Sequence, residues 1–114
     1  IGEPSQASLR RFEKTLLKEL GYGLTLDREA ESGRQVDPQK RYAYVVERGP
    51  ILVSGDEREA ESFSGRALLA IAQDDFSDAE TLAQCKQLMR TLIQHYLGGQ
   101  RLSSRRVFME LQEL

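Results

Sequence analysis

SDAETLAQCKQLMRTLIQHY, residues 77–96, carries a sustained helical period and decides the fold class. Leu82, Cys85, Met89, Leu92, Ile93 and Tyr96 recur along it as one continuous α-helical stripe. Just ahead, Ser77-Asp78-Ala79-Glu80 has the form of a capping box, in which a serine hydroxyl and a glutamate carboxylate satisfy amide donors left open at a helix start. Gly98-Gly99 supplies the stop.

Outward from this helix the same period returns. Between Ser5 and Leu20, the apolar residues Leu9, Phe12, Leu16, Leu17 and Leu20 predict a first helix, flanked by Arg10, Arg11, Lys14 and Lys18. Gly21 and Gly23 can take the positive φ that ends it. Ser64 can cap a short helix through Ala72, packed by Leu68, Leu69, Ile71 and Ala72. After Gly99, Ser103 or Ser104 caps a last helix with Val107, Phe108, Leu111 and Leu114 on its apolar side. From Leu24 to Phe63 the pattern is short and broken by Ser32-Gly33, Asp37-Pro38 and Arg48-Gly49-Pro50. Tyr42–Val46 and Ile51–Val53 there read as a β-hairpin. The expected class is mainly α, a helical domain with a small β-hairpin insertion at 24–63.

A chain of 114 residues, 39% hydrophobic, suits one domain over 1–114. The opening Ile1-Gly2-Glu3-Pro4, without an initiator methionine, suggests a piece of a larger protein. One cysteine forms no internal disulfide, and neither a leader nor a long apolar run is present, so a reducing cytoplasm and no membrane are expected. Net charge is only -2 but unevenly spread: residues 86–114 hold five basic groups against two acidic, and residues 66–80 one against four. A polyanion is drawn to the ends of the chain.

Catalytic equipment is sparse. His95 has no evident nucleophile or carboxylate partner and reads first as a charge near a helix C-terminus. Cys85 falls on the apolar stripe, as a core residue more than a reactive thiol. Gly21-Tyr22-Gly23 lacks the third glycine and preceding strand of a phosphate loop, and Asp56, Glu57, Glu59 and Glu61 lack the spacing of a calcium loop. The basic groups are more suggestive. Arg10-Arg11 adjoin Leu9 and Phe12, and Arg101, Arg105 and Arg106 precede Val107 and Phe108, so each could be a solvated helix face or a site for an acidic peptide with an apolar anchor.

Four segments in register resemble one family. Leu9-Arg10-Arg11-Phe12-Glu13 with Leu17 to Leu24, then Phe63-Ser64-Gly65-Arg66-Ala67-Leu68, Phe76 to Leu82, and Tyr96-Leu97-Gly98-Gly99 through Leu102-Ser103-Ser104-Arg105 look like the C-terminal region of the bacterial DNA repair and recombination mediator RecO. The resemblance covers nearly the whole chain and implies that an N-terminal oligonucleotide-binding-fold domain is missing from it.

In that family the resemblance implies a non-enzymatic role: annealing of single strands, work with RecR and RecF, and loading of RecA onto DNA coated with single-strand-binding protein. It also implies docking of that protein's acidic C-terminal tail, carried here onto Leu9, Arg10, Arg11, Phe12 and Lys14. A cytoplasmic, nucleoid-associated site of action follows. The alternative is direct single-stranded DNA binding by Arg90, Arg101, Arg105 and Arg106. Many family members hold zinc on two Cys-x-x-Cys pairs, but the first pair's positions look like Glu29 and Ser32, and no cysteine lies near Leu52 or Val53. No metal and no cofactor are expected, and the hairpin must rest on Tyr42, Tyr44, Val46, Ile51 and Val53.

Overall fold

The computed structural model describes residues 5–53 and 62–98. The expected last helix, the acidic run at 56–61 and Arg101, Arg105 and Arg106 lie outside the described residues.

Helix α1 spans Gln6–Glu19, capped by the Ser5 hydroxyl accepting from the Ser8 amide. Its end is a glycine-dependent wrap: the Tyr22 amide donates to the Leu17 carbonyl at 2.8 Å and Gly21 takes φ 90°. The expected stripe is corrected in detail. Leu9 and Leu17 are buried, whereas Leu20 is 47% exposed, and the buried face also carries Arg10 and Glu13.

Strands β1 (Arg41–Val45) and β2 (Gly49–Leu52) form the expected hairpin, with Tyr42 opposite Leu52 and Val45 opposite Gly49. A third strand, β3 (Phe63–Ser64), pairs antiparallel with the other edge of β1, giving the order β2-β1-β3. Two residues are too few for a period-2 pattern, which is why it has no sequence signal. The Tyr42 ring is buried and its hydroxyl accepts from the Asp37 amide at 2.8 Å.

Helix α2 (Gly65–Ala72) starts where Ser64 accepts from the Ala67 amide, as the sequence predicts. Helix α3 (Ala79–Tyr96) is capped one residue later than expected, by the Asp78 carboxylate accepting from the Thr81 amide, while the Ser77 hydroxyl donates to Asp75. Aspartate is as good an N-cap as serine and sits nearer the first turn. The stripe of α3 also contains Thr81 and Leu88.

All three helices meet in one core. Leu17, Leu68, Ile71, Leu88, Met89 and Leu92 are its largest fully buried side chains. Leu26, Val36, Tyr42 and Phe63 join it from the 24–63 segment, which therefore packs as part of the helical core. Burying that apolar set is the main favourable term holding α1 and α2 to α3.

Candidate functional site

Helix periodicity puts Arg11, Lys14 and Lys18 on one face of α1, since three- and four-residue steps return to the same side. The structure gives them different tasks. Arg11 is exposed, with its guanidinium carbon 5.5 Å from the centroid of the Phe76 ring in the α2–α3 connection. That cation–π contact orients the side chain along its aromatic neighbour while leaving it open to solvent. Lys14 reaches across to the end of α2, donating to the Ile71 carbonyl at 2.9 Å, the Ala72 carbonyl at 3.2 Å and the Asp74 carboxylate at 2.8 Å. It adds a donor to carbonyls at the helix C-terminus, of which that of Ile71 also accepts from the Asp74 amide at 3.1 Å, and it answers the negative end of the helix dipole. Lys18 is exposed one turn further on.

Beside this face runs an open cleft of about 430 Å³. Lys14 and Lys18 stand on its α1 wall, Leu24, Leu26 and Ala72 supply apolar surface, and Asp74, paired with Lys14, also lines it. A cationic wall next to a partly apolar groove can take a chain segment bearing both carboxylates and a hydrophobic side chain.

The other residues singled out from sequence sit elsewhere. Arg10 is buried at 5% exposure and paired with Glu13 at 2.8 Å, without the N–H alignment of a hydrogen bond, so it is corrected from a surface cation to an internal ion pair. Leu9 is buried and Phe12 half-buried, both on α1. Arg90 is exposed on α3, remote in sequence from the α1 face. Sequence reasoning passed over the cleft itself, because Leu24, Leu26 and Ala72 come together only through tertiary packing; the spacing of Arg11, Lys14 and Lys18 was its one legible sign.

Of the groups weighed for catalysis, Cys85 and His95 lie among the described residues, and they differ sharply in their surroundings. Burial pushes the Cys85 thiol up to about 12, with Arg10 opposing that shift and Glu13 adding to it. His95 is exposed, 3.9 Å from the Glu47 carboxylate. Among the described residues no three His, Cys, Asp or Glu side chains gather as metal ligands.

The positions that resemble a zinc site do not fit the metal. Glu29 uses both carboxylate oxygens internally, accepting from the Ser32 amide at 2.8 Å and the Leu52 amide at 3.2 Å. The Ser32 hydroxyl accepts from the Arg34 amide, and Leu52 and Val53 bring no ligand atom.

Residues 2–106 match the family model described as "Recombination protein O C terminal". The chain belongs to the RecO family. It is 58% identical over 106 residues to a protein named DNA repair protein RecO from Aromatoleum aromaticum, covering 93% of this chain and 44% of that one. Relatives with the same name from Azoarcus sp. and Dechloromonas aromatica are 50% and 42% identical, over 100% and 99% of this chain. The chain spans under half the length of these relatives, 44%, 48% and 46% respectively. No helix among the described residues is long and apolar enough to cross a membrane.

Proposed function

We propose that this domain is a docking module of a recombination mediator in DNA repair, and that α1 receives the acidic C-terminal tail of single-strand-binding protein. The observation that carries the reading is the row Arg11, Lys14 and Lys18 beside the cleft floored by Leu24, Leu26 and Ala72. Carboxylates of a tail pair with Arg11 and Lys18, and its terminal apolar residue enters the cleft. Lys14 is already bound to the end of α2 and acts by shaping the wall. The role is one of binding, in keeping with the relatives named for DNA repair. Within the whole protein it serves strand annealing and RecA loading together with RecR, in the cytoplasm at the nucleoid.

A labelled acidic peptide ending in phenylalanine, titrated against the chain, tests this. Arg11→Ala and Lys18→Ala each weaken binding by about 3- to 30-fold, the range for losing one charge-assisted contact, and the double variant loses more. Tail binding unchanged in the double variant would overturn the site. The alternative, phosphate tracking by Arg90, Arg101, Arg105 and Arg106, predicts instead that the chain takes single-stranded oligonucleotide with a steep salt dependence and ignores the peptide.

A further inference from the structure

Two tyrosines far apart in sequence meet in space. Tyr22, just past α1, stacks on Tyr96, the last residue of α3, with ring centroids 4.1 Å apart and planes inclined by 14°. The stack is not sealed into the core: Tyr22 is 38% exposed, and both rings, with Tyr44, line an open cavity of about 250 Å³. The β1–β2 turn forms the opposite wall through Glu47 and Arg48.

Several features go beyond what packing requires. A Cβ built on Gly21 or Gly23 meets nothing within 4 Å, so the backbone entering the stack leaves open space. The Arg48 guanidinium makes no ion pair or hydrogen bond among the described residues, although its backbone amide donates to Val45 at 2.9 Å. Glu47 holds φ 70°, a left-handed conformation that costs energy for a side chain with a Cβ, and this places its carboxylate at the cavity, 3.9 Å from His95.

We propose that this cavity binds one nucleotide unit of a single-stranded nucleic acid, its base stacked against the Tyr22–Tyr96 pair and its phosphate on Arg48. Tyrosine faces stack on any base, and the Arg48 guanidinium, unpaired among the described residues, supplies the matching charge. The walls favour a base over an aromatic peptide side chain. Tyrosine hydroxyls, Glu47 and exposed peptide groups can pair with the donors and acceptors of a base edge, which a phenylalanine ring would leave unanswered. The site shares only Gly23 of its lining with the α1 cleft, and none of the side chains proposed to bind there, nor any of the arginines of the phosphate-tracking alternative.

The chain has four tyrosines and no tryptophan, so its own tyrosine emission reports on the stack. Titration with oligothymidylate, followed by that emission and by anisotropy of a labelled strand, gives quenching and saturable binding. Tyr22→Ala weakens binding about tenfold, the size of one lost base stack, while Tyr22→Phe retains it. Arg48→Ala, on an exposed turn, lowers the slope of log affinity against log salt by about one. An abasic strand of equal length binds the unaltered chain no better than oligothymidylate binds Tyr22→Ala. The inference is overturned if the abasic strand binds as tightly as oligothymidylate, if Tyr22→Ala and Arg48→Ala both bind like the unaltered chain, or if the acidic peptide and not the strand quenches the tyrosines. Acidic-tail binding that survives in Tyr22→Ala separates the fate of this cavity from that of the α1 cleft.

Discussion

Glu29, at a position that the family resemblance sets beside a zinc-binding cysteine, joins two segments of the chain through its carboxylate. Nearly buried at 9% exposure, it ties the turn at Ser32 to strand β2 at Leu52 through two backbone amides. The carboxyl is held below its ordinary 4.5, first by hydrogen bonding from the Ser32 side chain, then by the Ser32 amide, against an opposing desolvation and with help from the Leu52 amide. A group whose folded value is lowered stabilises the fold fully above its unfolded value, and that stability is lost as pH falls through the folded value. Melting temperature should therefore drop as pH goes from neutral to strongly acid, in the window below 4.5. Glu29→Gln, uncharged at every pH, melts lower near neutrality and shows a shallower acid limb, so the two curves converge at low pH. Thermal melts across that range check this, and parallel curves would assign the acid limb to other carboxylates, Asp75 among them, whose value Ser77 lowers. Addition of a chelator leaves the melting temperature of the unaltered chain where it was.

Helix α2 shows how an element can be legible while its neighbours are not. Its cap at Ser64 and its apolar face predict its position, and by propensity alone Gly65→Ala at its first turn would gain up to about 1 kcal/mol. In the fold, however, a Cβ at Gly65 would overlap the carbonyl of Asp37, which no local pattern records. Gly65→Ala should instead destabilise by about 1–3 kcal/mol, read as a lower urea midpoint. A tie at the other end of α2 behaves similarly: Lys14→Ala removes the cross-helix cap on Ile71 and Ala72 and should cost about 1 kcal/mol, discounted for partial exposure. Caps and three-to-four spacing revealed α1, α2 and α3 because those signals are written within one element. Strand β3 was hidden because its two residues are defined only by pairing with Arg41 and Tyr42. Arg10 and Glu13 were hidden because a buried ion pair has the same spacing as a solvated one.

At the scale of the molecule, both candidate binding places are seams between elements, held open by a core that must stay rigid. The α1 cleft needs α2 and the 24–26 segment, and the tyrosine cavity needs the ends of α1 and α3 with the β1–β2 turn. This is why sequence yielded Arg11 and Lys14 as cations but neither concavity. The core also contains its own reporter. Cys85 is fully buried in the same cluster as Leu88, Met89 and Leu92, and burial keeps its thiol protonated at neutral pH. A thiol reagent can reach it only when the helices part, so labelling should follow the population of the opened state while reclosing is fast. Leu92→Ala, in the fully buried stripe of α3, should cost about 2–5 kcal/mol. At about 1.4 kcal/mol per tenfold, labelling of Cys85 then accelerates by about 30-fold or more. Arg11→Ala and Tyr22→Ala, on the exposed seams, should leave the labelling rate close to that of the unaltered chain. Acceleration in Leu92→Ala alone would show that the core opens as one unit and that the seams can be altered without loosening it. Equal acceleration in all three would instead make the seams part of the core's cooperative unit, and losses of binding would then have to be read as losses of fold.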